Sequence, residues 1–122
     1  MNRKILITES DVDIIFLLSS LLKKHYKITI LNNARLLLDG NFDKPDLFIL
    51  NSHLSDVNII AICRYLKENS ETKNIPILII AGSEDVETIA QQCPGDDFIT
   101  KPFSGAELLN KVEKTMQNIN AL

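Results

Sequence analysis

The sequence predicts an open α/β sandwich, a parallel sheet with helices on both faces. Three observations predict it. The runs Ile5-Leu6-Ile7, Leu47-Phe48-Ile49-Leu50 and Ile75-Pro76-Ile77-Leu78-Ile79-Ile80 carry no polar alternation, as strands covered on both faces do. The segments between them repeat apolar residues at helical spacing. Strand and helix patterns alternate along the whole chain, five of each, which favours parallel pairing through right-handed helical crossovers.

The first strand is Ile5 to Ile7. The spacing then predicts a helix from Asp11 to about His25, with Ile14, Ile15, Leu17, Leu18, Leu21 and Leu22 on one broad face. Ser10-x-x-Asp13 reads as its capping box. Lys27 to Leu31 is the second strand. A short helix covers 33–40, with Ala34, Leu37 and Leu38 inward and Gly40 closing it. The third strand is Leu47 to Leu50, entered through Pro45. A helix from about Val57 to Asn69 buries Ile59, Ile62, Cys63 and Leu66, with Asp56 and Asn58 as candidate caps. The fourth strand, 75–80, has its proline at the start, where a ladder tolerates one. Val86, Ile89, Ala90 and Cys93 form the stripe of a fourth helix, and Asp97 to Thr100 the fifth strand. Ser104-x-x-Glu107 opens a last helix that buries Leu108, Val112 and Met116.

A chain of 122 residues, 45% hydrophobic and 24% charged, suits one globular domain over 1–122. A net charge of -3 without a Lys/Arg block argues against direct nucleic-acid binding. Cys63 and Cys93 form no CxxC, and the expectation is buried thiols in a reducing cytoplasm, not a disulfide or a metal pair. MNRKILIT runs straight into a strand with no signal-peptide core, and no apolar run is long enough to span a bilayer. A cytoplasmic location without a membrane partner is expected.

In such sheets reactive groups gather at the carboxyl ends of the strands. There stand Thr8-Glu9-Ser10-Asp11, Asn51-Ser52-His53, Ala81-Gly82 and Thr100-Lys101-Pro102-Phe103. KILITESD, PDLFILN, NIPILIIAG and GDDFITKPFSGAELL, in this order and spacing, resemble the receiver domain of two-component response regulators. The resemblance covers a core of about 4–117. It implies a flavodoxin-like, doubly wound (βα)5 sandwich with strand order 2-1-3-4-5. It also implies an activity. Such a domain takes a phosphoryl group from a histidine kinase onto an aspartate ending the third strand. Two acidic residues after the first strand help hold Mg²⁺. A Ser or Thr after the fourth strand and a Lys after the fifth bind phosphoryl oxygens, and an aromatic residue three before that Lys turns with the switch.

Carried over, the phosphoacceptor-equivalent is Asn51, the acidic pair is Glu9 and Ser10, and the hydroxyl position is Ala81. The lysine is Lys101, the switch pair is Ala81 and Phe98, and the backbone carbonyl completing the metal site is that of His53. An amide nitrogen is a poor nucleophile and a neutral amide a weak substitute for a carboxylate on Mg²⁺. Phosphoryl transfer is mostly positioning and charge neutralisation, so losing nucleophile, metal carboxylates and hydroxyl together predicts a degenerate receiver. No phosphate-loop, dinucleotide, zinc-protease or nucleophile-elbow motif offers another chemistry, so no enzyme is expected. No cofactor is required, with weak Mg²⁺ binding through Glu9, Asp11 and the His53 carbonyl as the open alternative. Asn51 either mimics one state permanently or caps an abandoned pocket.

Several local readings accompany this. Lys101 is expected to pair with Glu9, and the resemblance makes Lys101-Pro102 a candidate cis peptide. His53 reads as a partly exposed loop residue. Phe98, lacking a hydroxyl, favours a buried rotamer. Val12 and Phe16 are candidate partner contacts, Phe16 because it falls opposite the Ile14/Leu18/Leu21 face. The expected partners are a histidine kinase, a phosphotransfer protein or an output-domain protein, with a homodimer also open. The alternatives are a receiver still responsive to phosphorylation or Mg²⁺ through Glu9 and Asp11, and a flavodoxin-like small-ligand binder using the same crevice.

Overall fold

A computed structural model describes residues 3–53, 58–93 and 96–120, with side chains through residue 117. The elements alternate as β1 (Arg3–Thr8), α1 (Val12–Leu22), β2 (Tyr26–Leu31), α2 (Arg35–Leu38) and β3 (Leu47–Asn51), then α3 (Ile59–Glu68), β4 (Ile77–Gly82), α4 (Val86–Gln92), β5 (Asp97–Lys101) and α5 (Gly105–Asn120). All pairings are parallel and the sheet order is β2-β1-β3-β4-β5, as the resemblance implies.

The absence of polar alternation has a direct cause. Successive side chains of a strand point to opposite faces, and both faces are covered here. Ile5, Ile7 and Ile49 pack with Leu18, Leu22, Leu108 and Val112 of α1 and α5. Leu6, Phe48 and Leu50 pack on the other side with Leu37, Ile62 and Leu66 of α2 and α3. Each fully buried Leu, Ile or Phe contributes roughly 1.5–3 kcal/mol of transfer free energy. The edge strand β2 differs: Tyr26, Ile28 and Ile30 are half-buried while Lys27 and Thr29 are exposed.

Element boundaries moved where backbone hydrogen bonds decide them. β4 starts two residues late, because Ile75 N–H closes a turn onto Thr72 O and Pro76 has no N–H to give. It runs on through Ala81 and Gly82, which pair with Thr100 and Lys101. β3 takes in Asn51, paired with Ile80. α2 is shortened, with Asn33 Oδ1 accepting the Arg35 N–H at 2.8 Å. α3 is capped by Asn58, whose Oδ1 accepts the Ile60 N–H; Asp56 lies outside the described residues. Ile89 and Cys93 of the α4 stripe are buried, but Ala90 is exposed. A seven-residue helix lies on the sheet through a narrower line than four positions.

Two expectations are corrected. The capping box at Ser10 does not form. Asp11 is the N-cap of α1, its Oδ1 accepting the N–H groups of Asp13 and Ile14 at 2.8 and 3.2 Å. Ser10 is exposed. The cysteines are not separate thiols. Cys63 and Cys93 are joined as a disulfide, with Cα atoms 6.0 Å apart, inside the usual span. Periodicity places each on an inner helix face but does not show that α3 and α4 lie side by side. The sheet order imposes that. The capping box at Ser104 does form, with Ser104 Oγ accepting from Glu107 N and Glu107 Oε1 from Ser104 N.

Candidate functional site at the carboxyl ends of the strands

Glu9 follows β1 and is 2% exposed. A buried carboxylate needs donors, and three supply it. Its Oε2 accepts the N–H groups of Ser10 and Asp11, each at 3.1 Å. Its Oε1 accepts Nδ2 of Asn51. The backbone that turns from β1 into α1 thus wraps one carboxylate oxygen, and the tip of β3 closes on the other.

Asn51 is used at both ends of its amide. Nδ2 donates to Glu9, while Oδ1 accepts the His53 N–H at 2.8 Å and Lys101 Nζ at 3.4 Å. The bond to His53 is the local turn that Asn side chains make with the backbone two residues on. An aspartate could accept the two Oδ1 bonds but has no donor for Glu9. The amide therefore suits a neighbour that is a carboxylate.

Lys101 reaches this point because β5 pairs with β4 in the register that sets Gly82 beside it. The peptide bond to Pro102 is cis. The expected ion pair of Lys101 with Glu9 is not formed. Asn51 stands between the two charges, bonding one through nitrogen and the other through oxygen. Ala81 is fully buried, its methyl part of the core under α3 and α4, and Phe98 is half-buried against the same core. Asp11 is turned onto the start of α1 and does not enter the pocket. His53 Nε2 lies 3.2 Å from Asp85 Oδ2, both side chains about half exposed. Asp85 was not singled out from the sequence, since only the packing of α4 brings it to His53.

Mg²⁺ favours octahedral oxygen ligands, usually one or two carboxylates with waters and phosphate oxygens. Here Glu9 already faces three N–H donors, Asn51 presents NH₂ toward it, and Asp11 is committed to α1. Among the described residues no three His, Cys, Asp or Glu side chains are grouped to hold a metal. In this arrangement the carboxylates of Glu9 and Asp11 are both engaged by N–H donors.

On α1, Val12 and Phe16 are 77% and 73% exposed. The same helix borders an apolar groove of about 400 Å³ lined by Ile14, Leu17, Lys101, Pro102 and Phe103. Lys101 is therefore shared between the strand-end pocket and the groove. Among the described residues no helix is long and apolar enough to cross a membrane.

Known proteins resemble this chain in sequence and fold. The family model described as response regulator receiver domain matches residues 5–113. The response regulator ArlR of Staphylococcus epidermidis is 35% identical over 117 residues, covering 93% of this chain and 52% of that protein. The chain thus spans about half the length of the curated relatives it matches. The signal receiver domain of a signal transduction histidine kinase from Syntrophus aciditrophicus superposes with a TM-score of 0.85 at 26% identity, covering 95% of this chain and 91% of that one. A crystal structure of a protein from Chloroflexus aurantiacus shares the fold, with a TM-score of 0.86 at 21% identity over 96% of this chain and 99% of that one. With the family model matched over most of its length, the chain belongs to the response regulator receiver domains.

Proposed function

We propose that this receiver domain signals through protein–protein contacts and does not run the ordinary aspartate phosphorylation cycle. One observation carries the reading: the Asn51 amide fills the space between Glu9 and Lys101 and hydrogen-bonds both. In the resemblance drawn above, that space belongs to a nucleophilic carboxylate, a metal ion and the incoming phosphoryl group. An amide there supplies no nucleophile, and its N–H takes the side of Glu9 on which a cation would have to stand. Ala81 adds no hydroxyl for a phosphoryl oxygen. The pocket acts as a latch between strand ends, without cofactor or Mg²⁺, and the domain is not itself an enzyme.

The partners in this reading are a histidine kinase, a phosphotransfer protein or an output-domain protein, in the cytoplasm. Val12 and Phe16, exposed on α1, are the contact residues of this reading. Ala81 and Phe98 sit where a bias between two states of the α4, β5 and α5 face would be transmitted.

The test is an amide-correlation NMR titration with Mg²⁺ and then beryllofluoride, a phosphoryl mimic that requires a carboxylate. The wild type is run beside the Asn51→Asp, Ser10→Asp, Ala81→Thr triple variant. A silent wild type, with a variant that responds around Ala81, Phe98 and Lys101, is the expected outcome. A wild type that responds at those positions overturns the reading.

A further inference from the structure

Among the described residues, α4 is held to the fold at few points. Of its seven residues Ile89 is buried and Val86 half-buried, and the other five are exposed. A helix this short does not hold itself together in water, so its order depends on its anchors. Among the described residues two side-chain links flank it, one at each end, and both come from the segment after β3. At its start Asp85 meets His53 across 3.2 Å. At its end Cys93 is joined to Cys63 on α3, 30 residues away in sequence. The first link joins two half-exposed groups and is worth little. The second is covalent.

We propose that Cys63 and Cys93 form a reversible redox clamp on α4. The disulfide fastens the end of the helix to α3; the dithiol leaves two small apolar side chains in contact but frees the helix end to open. The Cα atoms stand 6.0 Å apart, within the span that a disulfide bridges. Both cysteines are buried but differ in where they sit. Cys63 is fully buried, while Cys93 is 4% exposed and ends a lightly anchored helix, so exchange begins at Cys93. In reducing compartments such pairs are typically transient and redox-sensing.

The step balances with a small-molecule disulfide as oxidant. Opening of the helix end exposes Cys93, which loses its proton. The thiolate attacks one sulfur of the small disulfide, forms a mixed disulfide and expels one small thiolate. Cys63, deprotonated in turn, attacks the Cys93 sulfur and expels the second. The protein pair gives up two electrons and two protons, and the small disulfide leaves as two thiols; reduction runs the same steps backwards. The inference goes beyond the proposed function and does not depend on it, since it concerns what holds α4 whether or not the pocket takes a phosphoryl group.

The test uses the full chain equilibrated with reduced and oxidised glutathione at a series of ratios. Free thiols are alkylated and counted by intact mass. Hydrogen exchange is followed in α4, with α1 and α5 as internal references. A reversible passage between dithiol and disulfide is expected. The α4 amides should exchange roughly tenfold faster or more in the dithiol form, with α1 and α5 unchanged. Cys63→Ala and Cys93→Ala should show the dithiol pattern under oxidising conditions. No disulfide at any ratio, a disulfide that thiols cannot reopen without denaturant, or equal α4 exchange in both forms overturns the proposal. Should a variant fail to fold, the two redox forms of the wild type decide the matter.

Discussion

The side-chain amide of Asn51 donates to the buried carboxylate of Glu9, so the tip of β3 is fastened to the turn after β1. The other end of the same amide accepts from Lys101. A neutral group thereby joins an anion and a cation that would otherwise face each other, and both charges keep a hydrogen-bond partner.

Asn51→Asp removes the donor and sets a second carboxylate against Glu9. Burying like charges together without a bridging hydrogen bond should cost about 1–3 kcal/mol at neutral pH, read from urea unfolding. Millimolar Mg²⁺ should restore part of the loss in the variant and leave the wild type unmoved. A wild-type midpoint that rises with Mg²⁺ as much as the variant's would contradict the latch.

Asp11 and Ser10 separate two ways of starting α1. Asp11→Ala deletes the acceptor for Asp13 N and Ile14 N and should destabilise by about 1 kcal/mol. Ser10 is exposed, and Ser10→Ala should stay within about 0.5 kcal/mol of wild type. Thermal or urea unfolding of the two single variants is sufficient, and the opposite ranking would restore the capping box.

Tyr26 gives the protein an alkaline dependence. Its phenol is raised above the ordinary 10.0, first by burial and then by Glu113, with Arg3 pulling the other way. The folded state therefore keeps a proton that the unfolded chain releases near that value. The corresponding stability is fully present below it and is lost as pH rises through the folded-state value. Unfolding midpoints measured across the alkaline range should fall more steeply for the wild type than for Tyr26→Phe.

Much of this was legible in the sequence for reasons that are local. The strands β1, β3 and β4 announce themselves because burial on both faces removes polar alternation. Glu9, Asn51 and Lys101 could be named together because parallel strands deliver their carboxyl ends to one edge. What stayed hidden depends on choices between near-equivalent partners. Ser10 and Asp11 are both competent caps, and the wrapping of Glu9 by their N–H groups decides between them. Lys101 and Glu9 are natural ion-pair partners, but an amide that both donates and accepts displaces that pairing. Cys63 and Cys93 meet only because β4 lies between β3 and β5, which brings their helices alongside on one face.

The sheet order carries a kinetic consequence. β1 lies between β2 and β3, so the three strands within residues 3–51 can assemble before β4 and β5 join. The bond from Asn51 to Glu9 belongs to that early unit, whereas Lys101 arrives with the last strand. Destabilisation by Asn51→Ala should therefore appear largely as slower refolding, and that by Lys101→Met as faster unfolding. Stopped-flow chevrons of the two variants would show whether the latch is part of the nucleus or a late addition. If it is part of the nucleus, the residue standing where the resemblance puts a phosphoacceptor also helps the chain find its fold.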